Sequence, residues 1–371
     1  MARERILVIG GGIAGMSLGS ELALESDVVL LEAERELAWH STGRSAALFL
    51  TGYGPPAVQD LTRRSEPDFL RISAQPDMPA LLTPRGGLFT AWDEQTASAL
   101  AEMVAVHPSL NVLSDAQIQQ VCPVLRVGDL LLGAYDSSAR DIDVIALHTY
   151  YARRLRSRGG RIVTSARMIA ADRRAGGWEV RTEDERRWRA DVVVNAAGAW
   201  GDEVSELCAG RGHGLSPRRR TMVVARSAAP VAAHWPVVAD AAEAWYFKPE
   251  GVGVLVSPGD ETEVPPGDVK ADPLDVARVL DRVNAVTTLE LRSVQTSWAG
   301  LRTFAPDRVP IVGPHSDEPT LFCFIGQGGY GIQMAPALAR TAAELFWAGA
   351  LADGELQAFL DPRRPYGALE R

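Results

Sequence analysis

A glycine turn near the start of the chain constrains the fold more than any other feature. Gly10-x-Gly12-x-x-Gly15 follows a short apolar run at residues 6–9 and opens a stretch of helical periodicity at residues 13–24. In a strand–turn–helix unit the first glycine permits the tight turn, the second lets backbone approach a pyrophosphate, and the third lets helix and strand pack closely. The spacing therefore predicts a Rossmann-type dinucleotide-binding unit.

The residues around this turn complete the predicted dinucleotide site. Ile13 and Ala14 lie in the first turn of the expected helix, whose free N–H groups and positive dipole favour phosphate. A second buried-type strand, residues 28–31, ends at Glu32 and Ala33, where a carboxylate accepts hydrogen bonds from ribose hydroxyls. This unit by itself leaves FAD and NAD(P) open as the cofactor.

Three further segments favour FAD. Residues 39–47 combine hydroxyls, a cation and small side chains that can hold phosphate or the flavin edge, and residues 191–201 form a buried strand that ends in small residues. Residues 326–332 form a second glycine turn that opens a helix, whose dipole can stabilise negative charge on a reduced flavin. Each segment alone is compatible with an ordinary turn, but all three in this order indicate a flavin. The cofactor-binding residues predicted in and near these segments are Ser41, Thr42, Arg44, Ser45, Ala46, Ala47, Met168, Ala197, Gly198, Trp200, Arg302, Gly328, Gly329, Tyr330, Gly331, Ile332 and Gln333.

The dinucleotide-type pieces are scattered along the chain, which predicts that a second domain is inserted between them. With 371 residues and 46% apolar composition, the chain is long enough for two joined domains. We expect an α/β FAD-binding domain at residues 1–47, 138–210 and 297–371. The α+β substrate domain, built on an antiparallel sheet, is expected at residues 48–137 and 211–296.

Composition argues against several other classes of protein. The 38 Lys and Arg against 47 Asp and Glu give a net charge of −9, so nucleic acid is not an expected partner. Cys122, Cys208 and Cys323 stand far apart without CxxC pairing, so neither disulfides nor a metal site are predicted, which fits a reducing cytoplasm. The sequence has no run of about 20 apolar residues, so we expect no transmembrane segment, and the N-terminus does not read as a signal peptide.

Five stretches of the chain carry a wider resemblance. They are residues 34–47, 217–224, 245–249, 298–304 and 327–333. Together they resemble the D-amino-acid oxidase superfamily of FAD enzymes, which includes glycine oxidase and sarcosine oxidase. Within it the chain looks most similar to bacterial D-amino-acid dehydrogenases of the D-arginine dehydrogenase type. The resemblance implies two dinucleotide-binding halves in the FAD domain and a sheet-based substrate domain.

The same resemblance bears on how FAD is held. Some relatives attach the flavin covalently through a histidine in the region of His40. The Ser41-Thr42-Gly43-Arg44 segment that follows here matches the branch in which FAD is non-covalent. We therefore expect non-covalent FAD.

Two departures from the arginine-specific relatives bear on the substrate. Leu48 stands where those relatives carry an active-site histidine, and Gly87 stands where they carry a glutamate. A buried cationic side chain without a partner costs several kcal/mol, so we expect a neutral, apolar substrate side chain. Asp93 and Glu94 are the nearby acids that could overturn this expectation, and the D-configuration rests on the resemblance alone.

Four residues are predicted to form the substrate site. Arg302 is the expected carboxylate clamp, because guanidinium matches a carboxylate bidentately. Tyr53 and Tyr246 are expected walls and hydroxyl partners of the substrate. Arg220 is a further candidate, although it stands beside two other arginines and any of the three can be a solvated charge.

The function predicted from these residues is oxidation of a small amino acid to its imino acid by hydride transfer to flavin. A glycine- or sarcosine-type amine oxidase and a 2-hydroxy-acid dehydrogenase on the same scaffold are alternatives. A FAD-binding electron-transfer or assembly subunit without a substrate site is an alternative of another class, and it would not need a carboxylate clamp. The sequence leaves the electron acceptor open.

Overall fold

The structure, a computed structural model, describes residues 3–366. Its helices are α1 (Ile13–Leu22), α2 (Pro56–Ser73), α3 (Glu94–Val106), α4 (Asp115–Val121), α5 (Val144–Ser157), α6 (Gly201–Ala209), α7 (Pro273–Val286), α8 (Gly331–Ala348) and α9 (Gly354–Leu360). Its strands are β1 (Arg5–Ile9), β2 (Asp27–Leu31), β3 (Leu48–Phe49), β4 (Leu82–Pro84), β5 (Gly87–Ala91), β6 (Leu110–Val112), β7 (Leu132–Asp136), β8 (Arg140–Ile142), β9 (Arg161–Val163), β10 (Met168–Arg174), β11 (Gly177–Thr182), β12 (Arg187–Ala190), β13 (Val192–Asn195), β14 (Ser216–Arg226), β15 (Val237–Asp240), β16 (Tyr246–Glu250), β17 (Gly253–Ser257), β18 (Thr262–Glu263), β19 (Ser293–Phe304), β20 (Ile311–Pro314), β21 (Leu321–Ile325) and β22 (Gln327–Gly328).

A six-stranded sheet in the order β20-β21-β13-β1-β2-β9 forms the Rossmann-type part of the fold. Its strands are parallel except β20, which runs antiparallel to β21. Strand β1 lies in the middle and is apolar on both faces, as expected for a strand covered on both sides. Ile6 and Val8 pack under helices α1, α5 and α8, whereas Leu7 and Ile9 pack against the three-stranded sheet β10-β11-β12.

A larger mixed sheet follows the path β22-β19-β14-β17-β16-β15-β5-β7-β6, with β18 paired to β14. Its pairs are antiparallel except β15 with β5. Strands β14 and β19 form a long ribbon in the large sheet. Through β22, which pairs with β19, this ribbon reaches the second glycine turn, residues 326–332. The predicted fold class, a Rossmann-type FAD domain combined with a largely antiparallel substrate sheet, is confirmed.

Several boundaries differ from the sequence prediction. The helix expected from residue 142 begins at Val144. Ile142 belongs to strand β8, where it pairs with Leu82 of β4, and the Asp143 carboxylate caps the helix by accepting a hydrogen bond from Ala146 N at 2.8 Å. The helix expected over residues 275–290 is Pro273–Val286, since Asp272 caps it with a 2.8 Å hydrogen bond from Leu274 N.

The proposed division into two domains stays a prediction. The boundary at residue 297 runs through β19, a single twelve-residue strand of the large sheet. Strands β4 and β6, within the proline-rich stretch of residues 54–132, and β7, which begins at its end, were not anticipated. Residues 1, 2 and 367–371 of the predicted FAD domain lie outside the described residues.

Candidate active site

The N-terminal glycine turn has the close contacts that its spacing predicts. Gly10 adopts a φ of +112°, and a Cβ there would lie 2.4 Å from Ala196 O. A Cβ on Gly15 would lie 1.9 Å from Gly10 O, so only glycine lets α1 pack this closely on the turn. His148 supports the turn from α5, since its Nε2 donates to Gly11 O at 2.9 Å and burial lowers the pKa of this histidine.

Glu32 lies at the end of β2, beside the glycine turn. Its carboxylate accepts hydrogen bonds from Gly11 N at 2.7 Å and from Glu34 N at 2.8 Å. Burial raises the pKa of Glu32 despite these bonds. A carboxylate with two oxygens accepts more than two hydrogen bonds, so Glu32 retains acceptor capacity for ribose hydroxyls.

A long cleft runs from this turn to the second glycine turn and holds about 1500 Å³ of space, its solvent mouth included. The chain brings all of the predicted segments to it. The predicted cofactor residues that line the cleft are Gly10, Gly12, Ile13, Ala14, Glu32, Ala33, Ser41, Thr42, Arg44, Ser45, Ala46, Met168, Ala197, Gly198, Trp200, Arg302, Gly328, Gly329, Gly331 and Ile332.

Four predicted cofactor residues lie outside the cleft lining. Gly15 packs α1 against the turn, which is the role expected of the third glycine. Ala47 has a φ of +61° and leads into β3. Tyr330 is buried edge-on to the Tyr53 ring at 5.2 Å, and Gln333 is buried and accepts a hydrogen bond from Leu50 N at 3.2 Å. These contacts give the four residues structural roles beside the cleft.

The hydroxyls and cation of residues 41–44 are largely engaged by the protein itself. Thr42 Oγ1 accepts a hydrogen bond from Ile13 N at 3.0 Å, and Ser41 Oγ donates to Leu301 O at 2.5 Å. Arg44 donates to Asp268 at 2.6 Å and to Ala299 O at 3.0 Å. These hydrogen bonds tie the segment to β19 and occupy donors that Arg44 would need to hold a phosphate, as the sequence predicted.

Arg302 and Tyr53 meet beside the cleft. Arg302 Nη1 donates to the Tyr53 hydroxyl at 3.0 Å, and a Cβ on Gly329 would lie 2.9 Å from the guanidinium carbon. Burial alone would lower the pKa of Arg302, but Tyr53, Tyr246 and Glu243 together raise it. The guanidinium therefore keeps its positive charge in a confined, partly apolar setting.

Tyr246 and Arg220 border the same region in different ways. Tyr246 is buried in the large sheet, and its hydroxyl lies 3.3 Å from the sulfur of Met222, a cleft residue. Arg220 lines the cleft but is 3% exposed and lies 3.2 Å from a carboxylate oxygen of Glu261. It is a buried, paired cation and not the solvated arginine that was the alternative reading.

Sequence reasoning missed an acid that is linked to Arg302 through Tyr53. Glu243, in the turn between β15 and β16, accepts a hydrogen bond from the Tyr53 hydroxyl at 3.1 Å. The acids that were considered instead lie elsewhere: Asp93 caps α3 by binding Thr96 N at 2.8 Å, and Glu94 is exposed in the first turn of α3. Glu243 adopts a positive φ of 57°, a conformation that glycine usually marks in a sequence. Because no glycine stands at this turn, the sequence carries no local sign of it.

The cleft can be tested for its fit to FAD from its own residues. The first turn of α1 contains no acidic residue, so the positive end of its dipole is free to face phosphate. Three cleft residues carry a buried polar atom without a hydrogen-bond partner among residues 3–366: His40 Nδ1, Thr303 Oγ1 and Gln327 Nε2. Such atoms are costly unless a ligand satisfies them, so the cleft fits a polar, dinucleotide-sized cofactor.

The parallel sheet, the glycine turn and the long cleft define a dinucleotide-binding protein of the Rossmann type. Residues 5–345 match the family model described as FAD dependent oxidoreductase (DAO), and the chain belongs to that family. Its cofactor is FAD.

The chain is similar to human mitochondrial dimethylglycine dehydrogenase, with 29% identity over 89% of this chain. It spans about two fifths of that protein's length, 41%. It is also similar to bovine FAD-dependent oxidoreductase domain-containing protein 1, with 26% identity over 98% of this chain and 85% of the relative.

Solved structures share the fold. Glycine oxidase from Geobacillus kaustophilus superposes with a TM-score of 0.84 and 20% identity, covering 98% of this chain and 100% of that chain. L-proline dehydrogenase from P. horikoshii gives 0.83 and 20%, with 97% of both chains covered. These matches show a shared fold, whereas the family match over residues 5–345 supports the predicted superfamily. The finer likeness to D-arginine dehydrogenases stays a prediction.

Residues 3–366 contain neither a candidate metal centre nor a helix suited to crossing a membrane. Over this range no group of three or more His, Cys, Asp or Glu side chains is placed to hold a metal ion. No helix in this part of the chain combines the length and apolar character that crossing a membrane requires.

Proposed function

We propose that the protein oxidises a small amino acid at its C–N bond, with Arg302 as the carboxylate clamp. The observation that carries this proposal is the contact of Arg302 with Tyr53 at the edge of the FAD cleft. An electron-transfer subunit without a substrate does not need a charged guanidinium in that position. A carboxylate is the group that a guanidinium binds bidentately.

The chain's own residues bind and orient the substrate. Arg302 would donate to the substrate carboxylate. The Tyr53 hydroxyl, which accepts from Arg302 and donates to Glu243, would hold the guanidinium in position. FAD, when bound, supplies the acceptor for the hydride that leaves the carbon bearing the nitrogen. Fixing the carboxylate in this way converts a bimolecular encounter into an oriented reaction.

The proposed substrate has a neutral, apolar side chain and the D-configuration. Leu48 and Tyr246 belong to one apolar cluster with Met222, which lines the cleft. A side chain packed against this cluster gains about 25 cal/mol per Å² of apolar area buried. The chirality rests on the resemblance to D-amino-acid dehydrogenases. Glu243 supports the opposite preference, for a cationic side chain, and therefore has to be tested.

A glycine substituted on nitrogen is the second candidate substrate. The similarity to human dimethylglycine dehydrogenase favours it, since the matched part covers 89% of this chain. An N-methylated glycine presents the same carboxylate to Arg302 and needs no side-chain pocket. It would leave the apolar cluster around Leu48 to exclude water.

Anaerobic reduction of bound flavin, followed by absorbance, tests the proposal. The substrates are D-leucine, D-methionine, D-phenylalanine and D-arginine, the matching L-amino acids, glycine, sarcosine, dimethylglycine and lactate. Fastest reduction by the apolar D-amino acids supports the first candidate, and fastest reduction by sarcosine or dimethylglycine supports the second. If D-arginine is faster than D-leucine by an order of magnitude, the argument from Gly87 and Leu48 is wrong.

Two other outcomes would replace the proposal. Reduction by lactate alone would indicate a 2-hydroxy-acid dehydrogenase. Flavin that stays oxidised with every substrate would favour a FAD-binding subunit, the alternative that needs no clamp.

The three cysteines are unpaired, which supports a reducing compartment such as the cytoplasm as the proposed location.

A further inference from the structure

A cluster of arginines gathers on one face of the β14–β19 ribbon, next to the cleft. Arg218 lies directly opposite Arg302 in the strand register, and Arg220 lies two residues along β14 on the same face. Arg219 points to the other face, where it contacts Asp260 and Asp275. The face toward the cleft therefore concentrates positive charge.

One carboxylate holds most of this cluster together. Glu261 accepts hydrogen bonds from both terminal nitrogens of Arg308, at 2.9 and 3.0 Å, and lies 3.2 Å from Arg220 Nη2 and 3.7 Å from Arg218 Nη1. The Arg220 side chain is almost fully buried, so water cannot replace this partner. Asp260 fixes the loop that carries Glu261, because its carboxylate accepts from Thr221 N at 2.6 Å.

The contacts continue from Glu261 toward the predicted clamp. The Arg308 guanidinium lies 3.9 Å from the centre of the Phe304 ring. Phe304 in turn packs edge-on to Tyr330 with ring centres 6.0 Å apart, and Tyr330 packs edge-on to Tyr53 at 5.2 Å. Tyr53 donates to Glu243 and accepts from Arg302. Glu261 thus contacts two branches. One ends at Arg220 in the cleft wall, and the other runs through Arg308 and the aromatic rings to Tyr53.

We propose that Glu261 is a positioning residue for carboxylate recognition: it holds Arg220 in the cleft wall and Arg308 against the aromatic residues behind Tyr53. This inference rests on the proposed function. Without the negative charge, the guanidinium groups of Arg220 and Arg308 repel each other. The buried Arg220 then keeps only a neutral partner, the Asp260 carbonyl that accepts from its Nε at 2.9 Å. Both branches then relax away from the geometry that receives the substrate carboxylate.

The test compares Glu261→Gln with the wild-type holoenzyme. Glutamine keeps the size and one acceptor oxygen but removes the charge. Glu263→Gln is the matched control, because Glu263 is an exposed acid two residues further along the chain. Binding of 4-methylpentanoate, an amino-acid skeleton without the amine, is measured from the change in flavin absorbance. The limiting rate of flavin reduction and the FAD content are measured for the same proteins.

We expect Glu261→Gln to raise the Kd of the carboxylate about tenfold, the order of magnitude typical of coupling between two sites, because Glu261 acts on the clamp through other residues. The limiting reduction rate and the FAD content should stay within about threefold of wild type, a separation that a general loss of folding would not produce. Glu261→Asp, which keeps the charge on a shorter stem, should recover part of the affinity.

Two results would overturn the inference. An unchanged Kd in Glu261→Gln, or one equal to that of Glu263→Gln, would remove Glu261 from the site. A lower Kd would mean that Glu261 competes with the substrate for Arg220. If wild-type flavin neither responds to the carboxylate nor is reduced by any amino acid, the proposed function fails as well, whereas a normal wild type with an unaffected variant refutes this inference alone.

Discussion

Replacing Arg302 with methionine removes the charge that the proposed function depends on while keeping an unbranched side chain. The guanidinium is held between Tyr53, which accepts at 3.0 Å, and the Gly329 backbone. The unbranched methionine side chain can occupy the same space between Tyr53 and the Gly329 backbone. The variant therefore tests the charge and its hydrogen bonds with little change in packing.

The expected magnitude follows from the contact that is lost. Truncating one member of a desolvated, hydrogen-bonded charge pair costs about 2–5 kcal/mol. At about 1.4 kcal/mol per tenfold change, the Kd of the substrate should increase by a factor of between roughly 30 and a few thousand. FAD affinity should change far less, because the glycine turn and Glu32 lie on other elements of the cleft.

Stopped-flow reduction under anaerobic conditions separates the two quantities. The concentration dependence of the reduction rate gives the Kd of the substrate, and FAD fluorescence on titration gives the affinity for the cofactor. Arg226→Met, an exposed arginine at the end of β14, is the control. Normal binding and reduction in Arg302→Met would place the substrate carboxylate elsewhere. Loss of FAD in parallel with loss of substrate would show that Arg302 serves the cofactor.

Three further predictions follow from the structure. Acid precipitation should release FAD into the supernatant, and yellow colour that stays in the pellet would indicate a covalent bond. His40, whose Nδ1 has no hydrogen-bond partner among residues 3–366, would then be the first residue to replace. Gly15→Ala should abolish FAD binding or folding because its Cβ would lie 1.9 Å from Gly10 O, whereas Gly19→Ala in the same helix, with nearest contacts of 3.7–3.9 Å, should be tolerated; equal behaviour of the two variants, measured by FAD content and Tm, would refute this reasoning. Burial, aided by the neighbouring His315, lowers the pKa of His213 to about 4, so the unfolded chain binds more protons between about pH 6.5 and 4 and stability falls as the pH falls through that window. Allowing for the partial exposure of His213, we expect a contribution of about 1–2 kcal/mol to this loss, and chemical denaturation at pH 4.5 and 7 should show a smaller loss in His213→Gln if the argument holds.

The cofactor cleft was largely predictable because its signals are local. Gly10 and Gly15 are five residues apart, and the need for glycine at both follows from the tight turn and from the close approach of backbone that this spacing predicts. The predicted place of Glu32 at the end of a second strand also follows from order along the chain. These features do not depend on how the rest of the molecule packs.

The charges around the substrate site were not predictable in the same way. Arg220 gives the same local signal whether it is solvated or buried, and its partner, the partly exposed Glu261, lies 41 residues away on a loop that no periodicity marks. Tyr53 and Glu243 are separated by 190 residues. The sequence offered Asp93 and Glu94 as nearby acids, although both belong to the start of α3.

The sequence by itself therefore determined the FAD-binding unit and the class of fold, because both depend on residue types at short, regular spacings. Arg302 as the clamp came from its residue type and from the resemblance, and it stays a prediction. Only the tertiary structure decided which charges meet at the clamp and which hydroxyls of residues 41–44 are used by the protein itself. The physical reason is that ion pairs and hydrogen bonds between distant loops depend on the approach of whole sheets, here through the β14–β19 ribbon. Spacing along the chain does not encode that approach.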